Sequence, residues 1–373
     1  MKNTIYKYFF YEFSRYFIIT LFALASIVWV VQAVNFLDLV TEDGHAFRIY
    51  LFYSFLTVTK VATKLIPFSF LAASILTILK FEKDNELIIL WTSGLNKIHL
   101  VRLIFRISLL IMFIQLIMTS IITPETLNKS RSLLKNSEFQ FVSSLLKERQ
   151  FNDAVKALTI FVDKKNDDGT YENIFIRDDA NTLSQIGTSS TILAKSGYLI
   201  EDKKKLVLLN GNIQRMDTNG NINIIKFKET TFDLAGLSTK TISQAKIQET
   251  STKQLIDCVT GKNTFTHNCD RDQKSFGDAK IELNKRFGMP IFLPLIALIC
   301  CFLLSSRQEK KVTGLYKYLY ALIGFLILVS AEITVRYSGL SLMHTYVYYL
   351  IPVGLLPLVY LYLIKTFKYE NMN

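Results

Sequence analysis

Half of the 373 residues are hydrophobic and the chain carries 28 Phe and 18 Tyr, a composition that sets aside an ordinary soluble domain and points to a membrane protein. The formal net charge is +12, yet Lys and Arg stand in loops beside apolar runs and not on one basic, aromatic face, so the charge speaks of topology and excludes nucleic-acid binding. Four Cys include no CxxC pair, which removes zinc-ribbon and thioredoxin-type chemistry.

The chain opens on MKNTIYKYFFYEFSR, too long and too aromatic for a signal-peptide n-region, and no small-residue cleavage site follows the first apolar run, so that run is predicted to be retained. Six runs approach the roughly 20 apolar residues that a helix needs to cross a bilayer: about 17–39, 49–79, 103–122, 288–305, 318–336 and 345–364. With the N-terminus inside, the cytoplasmic loops hold Lys2, Lys7, Arg15, Lys80, Lys83, Lys97, Arg307, Lys310, Lys311, Lys317, Lys365 and Lys368, against Arg48 and Arg336 in the short outer loops. The positive-inside rule then puts both termini in the cytoplasm and the long polar middle outside.

Between the second and third spans, on the cytoplasmic side, lies KFEKDNELIILWTSGLNK, residues 80–97. Asp84 is placed to cap a short helix, Glu86 falls in its first turn, Leu87, Ile88, Leu90 and Trp91 give it an apolar surface, and Gly94 ends it in a left-handed conformation. Such a helix either docks a cytoplasmic partner or lies in the membrane surface with Trp91 buried there. The residues leave both uses open.

The middle of the chain, from about Glu125 to Asp278, contains no Pro. Short alternating runs begin at Ala157, namely ALTIFVD, YENIFIRD, GYLIED, KLVLLNGN, IQRMD, INIIKFK and TTFDL. Turn signals at Asp167-Asp168-Gly169, Asn210-Gly211 and Asn219-Gly220 separate them, which predicts seven or more strands in a β-sandwich or jelly roll with edges open to a partner. Residues 254–278 read as loop. Cys258 and Cys269 within it, on the oxidising side, are either a disulfide or two free thiols.

Two Lys interrupt the second apolar run. Lys60 and Lys64 share a helix face, with Pro67 one turn further on, and Gln32, Asn35 and Asp38 stand at comparable depth in the first span. Charges in a bilayer are costly and usually face a cavity, so these residues predict a polar lining that attracts anions, with a structural Lys–Asp38 pair as the alternative. Glu332 and Arg336 are spaced as an i,i+4 pair. No P-loop, GxSxG, HExxH or paired-carboxylate motif occurs, and His45, His99, His267 and His344 are isolated in sequence. No catalytic residue, metal site or cofactor is predicted.

The order of spans, ELIILWTSGL at Glu86–Leu95, the large insert after the third span, and IELNKRFGMPIFLPL from Ile281 to Leu295 together resemble the lipopolysaccharide-export permeases of the LptF/LptG family. Leu283 and Arg286 lie closer to the F-type subunit. The resemblance implies six transmembrane α-helices with an inserted periplasmic β-jelly-roll domain: residues 1–124 for the first three helices, with a coupling helix at about 83–94, 125–280 for the jelly roll with its flanks, and 281–373 for the last three helices. It implies a multi-pass protein of a Gram-negative inner membrane, a transport permease and not an enzyme. Its partners would be two copies of a cytoplasmic ATP-binding subunit, a homologous second permease, a periplasmic jelly-roll bridge protein and lipopolysaccharide. Glu86, Leu87, Leu90, Trp91 and Gly94 would then dock the ATPase, and Gln32, Asn35, Lys60, Lys64 and Arg336 would face substrate. Similar permeases often carry basic residues where this chain has Gln32 and Asn35, so Lys60 and Lys64 are expected to take over that task. A membrane-anchored adaptor, or a permease for a lipoprotein or peptide, is the alternative.

Overall fold

A computed structural model describes residues 2–41, 46–136, 146, 148–153, 158–166, 168–179, 189–200, 205–216, 222–233, 246–261, 273–305 and 313–370. The chain divides into two compact units, one of Met1–Val31, Thr57–Asn128 and Ala245–Asn373, the other of Gln32–Leu56 and Lys129–Gln244.

Among the described residues, six helical stretches are long and apolar enough to cross a membrane: Thr4–Thr41, Phe47–Lys83, Lys97–Leu134, Phe276–Leu304, Tyr318–Tyr337 and Leu342–Lys368. They coincide with the six predicted runs, containing all but the last residue of the fourth, and most extend past them. In element terms these are α1 (Lys2–Asn35) with the short α2 (Asp38–Thr41), then α3 (Phe47–Lys83) and the short α4 (Glu86–Thr92). The third span is α5 (Lys97–Ile117), a π-helical turn at Met118–Ile122 and α6 (Thr123–Asn136). The later helices are α7 (Thr252–Val259), α8 (Gln273–Cys300), α9 (Thr313–Tyr337) and α10 (Leu342–Glu370).

Helix α8 is the hub of the membrane-spanning unit, packing on α5, α9 and α10. Its run Phe292–Cys300 is buried throughout, as expected of a helix that is apolar all round. Gly288 lets it approach α10 closely, because a Cβ there would lie 2.1 Å from the ring of the fully buried Tyr348. Spans two and three are joined by hydroxyl pairs, Thr59 with Thr126 at 2.7 Å and Thr63 with Thr123 at 2.9 Å. Inside hydrocarbon such side-chain pairs substitute for missing water.

The predicted loop at 254–278 is corrected at both ends, since residues 254–259 lie in α7 and 273–278 in α8. Ser251 Oγ accepts from Gln254 N at 3.3 Å while Gln254 Oε1 accepts from Ser251 N at 3.2 Å, a reciprocal capping box that starts α7. Cys258 on α7 is buried beside Leu255 and Ala279. Cys269 lies outside the described residues, as do His45, His267 and Asn219-Gly220.

In the second unit, strands β1 (Leu158–Lys165), β2 (Thr170–Asp178), β3 (Ser190–Ile200), β4 (Lys205–Met216) and β5 (Ile222–Asp233) form one antiparallel sheet, each pairing with the next in chain order. The β-rich insert is therefore present, with five longer strands among the described residues where seven short runs were expected. At Asp168-Gly169 the turn signal holds: Gly169 has φ +80° and its N–H donates to Asn166 O. Thr170 donates to Asp168 Oδ1 through both N and Oγ1 and holds that carboxyl below the usual range.

Asn210-Gly211 is not a turn. It lies inside β4, where Asn210 takes φ 52° and Gly211 pairs with Ala194 and Phe227. Asn173 in β2 also has φ 52°, and residues 163, 173, 195, 210 and 228 form one row across the sheet with unbroken register on either side. This row is a crease, since a left-handed residue breaks the alternation of a strand. In β2 the buried positions change from Ile174 and Ile176 to Tyr171, and in β3 from Ile192 and Ala194 to Gly197. Asn tolerates that conformation better than other residues with a Cβ. Gly211 is required beside it because a Cβ would stand 2.2 Å from Leu193 O.

Candidate functional site

Two sites emerge in the membrane-spanning unit. At the first, α4 follows directly on α3. Its N-cap is Asn85, with φ 58° and no side-chain cap bond, so the predicted capping role of Asp84 is corrected. Gly94 does end the helix as expected, at φ 82°, and Gly94 N donates to Trp91 O while Leu95 N donates to Leu90 O. That bonding pattern is a Schellman termination.

The apolar residues of α4 divide into two faces. Leu87, Leu90 and Trp91, at i, i+3 and i+4, share one face. Leu87 belongs to the core, Leu90 and Trp91 pack against it, and the ammonium of the buried Lys97 sits 5.7 Å from the Trp91 ring centre. Ile88 and Ile89 point the other way, at 58% and 63% exposure. The exposed face of α4 is thus Ile88 and Ile89 beside Glu86, while Leu87, Leu90 and Trp91 secure the helix from behind. Glu86 Oε1 accepts a bond of 3.1 Å from Tyr8 OH on α1, and nearby Lys80 pairs with Glu12 at 2.8 Å.

The second site is a cavity of about 190 Å³ between α3, the third span, α8 and α9, closed on one side by Gln248 of the 3-10 turn Ile247–Glu249. Lys60 and Lys64 line it together, as their spacing predicted, with Lys285, Arg286, Glu282 and Glu332. Gln32 and Asn35 belong to the other unit, and Arg336, which is exposed, is not among the lining residues. The predicted Glu332–Arg336 pair is corrected: Glu332 is ion-paired with Lys285 of α8.

Arg286, only 2% exposed, organises the wall. It donates to Glu282 Oε1 (3.0 Å), Thr252 Oγ1 (2.9 Å), Gln248 O (3.1 Å) and Thr250 O (3.0 Å). Thr119 Oγ1 donates to Arg286 O at 2.8 Å, and Thr252 Oγ1 donates to Ser120 O in the π turn. A π turn displaces carbonyls from the regular ladder, and Ser120 O thereby becomes available to Thr252. One guanidinium thus ties α8 to the 3-10 turn and α7. Arg286→Ala is expected to cost about 1.5–3 kcal/mol, the value of charge-assisted bonds, read as a lower thermal midpoint in detergent; an unchanged midpoint would refute this role.

The family model for the lipopolysaccharide export system permease LptF/LptG matches residues 7–366. The chain belongs to the LptF/LptG family. An uncharacterised protein of Rickettsia prowazekii (strain Madrid E) is 27% identical over 254 residues, covering 67% of this chain and 69% of that protein. The LptF/LptG family is one of transport permeases, which fits six apolar helices and a sheet insert in a multi-pass inner-membrane protein. In this LptF/LptG chain, sequence reasoning missed Lys285 and Glu332 as cavity residues. Lys285 stands in IELNKRFG, next to Arg286, and only the approach of α9 to α8 brings Glu332 to it.

Proposed function

We propose that this chain is one half of an ATP-driven lipopolysaccharide extractor. A homologous permease completes the central chamber, and two cytoplasmic ATP-binding subunits close beneath, one of them on Glu86, Ile88 and Ile89. In this reading both termini and α4 are cytoplasmic and the sheet domain is periplasmic, where it hands the lipid to a bridge protein along a strand edge. The observation that carries it is the pair of open cations: neither Lys60 nor Lys64 has a carboxylate within 4 Å among the described residues, although both stand on a membrane helix and line a cavity. An anchor has no use for such charges, whereas a phosphorylated glycolipid supplies their counter-charge. The departure of Gln32 and Asn35 from the basic pattern of similar permeases supports the same assignment.

Purification with the co-expressed partners, followed by mass spectrometry of bound lipid, tests this directly. Lipopolysaccharide should co-purify; a lipoprotein or peptide in its place would overturn the reading. A Cys258–Cys269 disulfide belongs to the same proposal, because it requires the oxidising side. Intact protein should gain mass on reduction and take up alkylating reagent at these thiols only afterwards, and full alkylation without reductant would exclude the bridge.

A further inference from the structure

Cavity charge is distributed unequally. Four cations, Lys60, Lys64, Lys285 and Arg286, face two carboxylates, Glu282 and Glu332, so four minus two leaves +2, which one phosphomonoester dianion would neutralise. Arg286 is committed to Glu282 and the backbone around Thr250, and Lys285 is held by Glu332. Lys60 and Lys64 remain open. Gln115, 2% exposed on α5, also lines the cavity, and its Oε1 has no hydrogen-bond partner among the described residues, an acceptor that suits a hydroxyl donor of a glycolipid and not its phosphate.

The Lys285–Glu332 pair differs from the Arg286 cluster in one physical respect. Its side chains are 27% and 39% exposed and meet across two helices, while that of Arg286 is 3% exposed and bound on several sides. A partly exposed pair joined by one contact is worth little and exchanges readily, whereas the buried one does not. An entering anion can therefore take Lys285 from Glu332 but cannot take Arg286 from its partners.

We propose that Glu332 is a tethered competitor for a lipid-borne phosphomonoester: it occupies Lys285 in the empty cavity, yields it when the phosphate reaches Lys60 and Lys64, and reclaims it on release. Glu332 is thus a positioning residue that acts through Lys285 and keeps affinity low enough for turnover. This rests on the reading of the cavity as a glycolipid site.

The test uses the full chain with its co-purified partners in nanodiscs, with diphosphoryl lipid A and fully dephosphorylated lipid A as probes. If Lys285 is paired with Glu332 about nine-tenths of the time, E332Q tightens the diphosphoryl probe about tenfold, since apparent affinity scales with the competent fraction. E332Q leaves the dephosphorylated probe unchanged, and K285M E332Q loses the gain. A purely structural pair predicts weaker binding of both probes, so E332Q variants that bind the diphosphoryl probe no more tightly, or both probes equally more tightly, overturn the proposal. Wild-type protein that does not distinguish the two probes would overturn the glycolipid reading together with it. Inorganic phosphate in excess should not displace the probe; efficient displacement would make the ligand a free anion and contradict the lipid source.

Discussion

Glu86→Lys is expected to abolish lipopolysaccharide export while ATP hydrolysis by the assembled complex continues. Glu86 starts α4 at the edge of the exposed Ile88–Ile89 face, and among the described residues its carboxylate accepts a side-chain hydrogen bond from Tyr8 OH alone. A carboxylate buried against a partner's cation is worth about 2–5 kcal/mol when one member is lost, so reversal of its charge should cut export on the order of a hundredfold at 1.4 kcal/mol per tenfold. Ile89→Asp should act the same way by placing a charge in the apolar contact. Export and hydrolysis measured on the same proteoliposomes separate uncoupling from misfolding, and normal export by Glu86→Lys would remove the docking role.

Replacing Lys60 and Lys64 together with Leu is expected to reduce photocrosslinking of lipopolysaccharide to the cavity at least tenfold, because each charged contact to phosphate contributes about 1.5–3 kcal/mol. Thermal stability should hold or rise in the same variant, since two charges leave a membrane helix without stranding a partnered carboxylate. These two readouts move in opposite directions only if the lysines serve substrate. A structural pair would lose stability and keep crosslinking.

The spans were legible because a run of some 20 apolar residues has few uses other than crossing a bilayer, and Lys60 and Lys64 were legible because a charge in such a run is costly. Contact between distant helices was not. Spacing along α9 offered Arg336 to Glu332, but α8 brought Lys285 closer, and an i,i+4 pair on an open helix face is weak. Likewise Leu87 and Ile88 are equally apolar in sequence, and only the packing of α4 on the core decides which one faces outward.

The strands show a different limit. Asn-Gly signals a hairpin because both residues accept positive φ, yet Asn210 uses that freedom to crease a long strand, and Asn173 does the same in β2 without a following Gly. Local chemistry specified the backbone conformation but not its use. The capping box at Ser251 and Gln254 was readable from the residues, and it was obscured by the polar composition around it.

The account depends above all on α4 facing the cytosol and the sheet domain facing the periplasm. Cysteines introduced one at a time at Ile89 and Asp168, both exposed, in a background with Cys258 and Cys269 changed to Ser and the buried Cys300 and Cys301 left in place, measure this with a membrane-impermeant maleimide. In cells with a permeabilised outer membrane, Asp168→Cys should be labelled at once and Ile89→Cys only after the inner membrane is opened. Labelling of Ile89→Cys from outside, or protection of Asp168→Cys until lysis, would contradict the account.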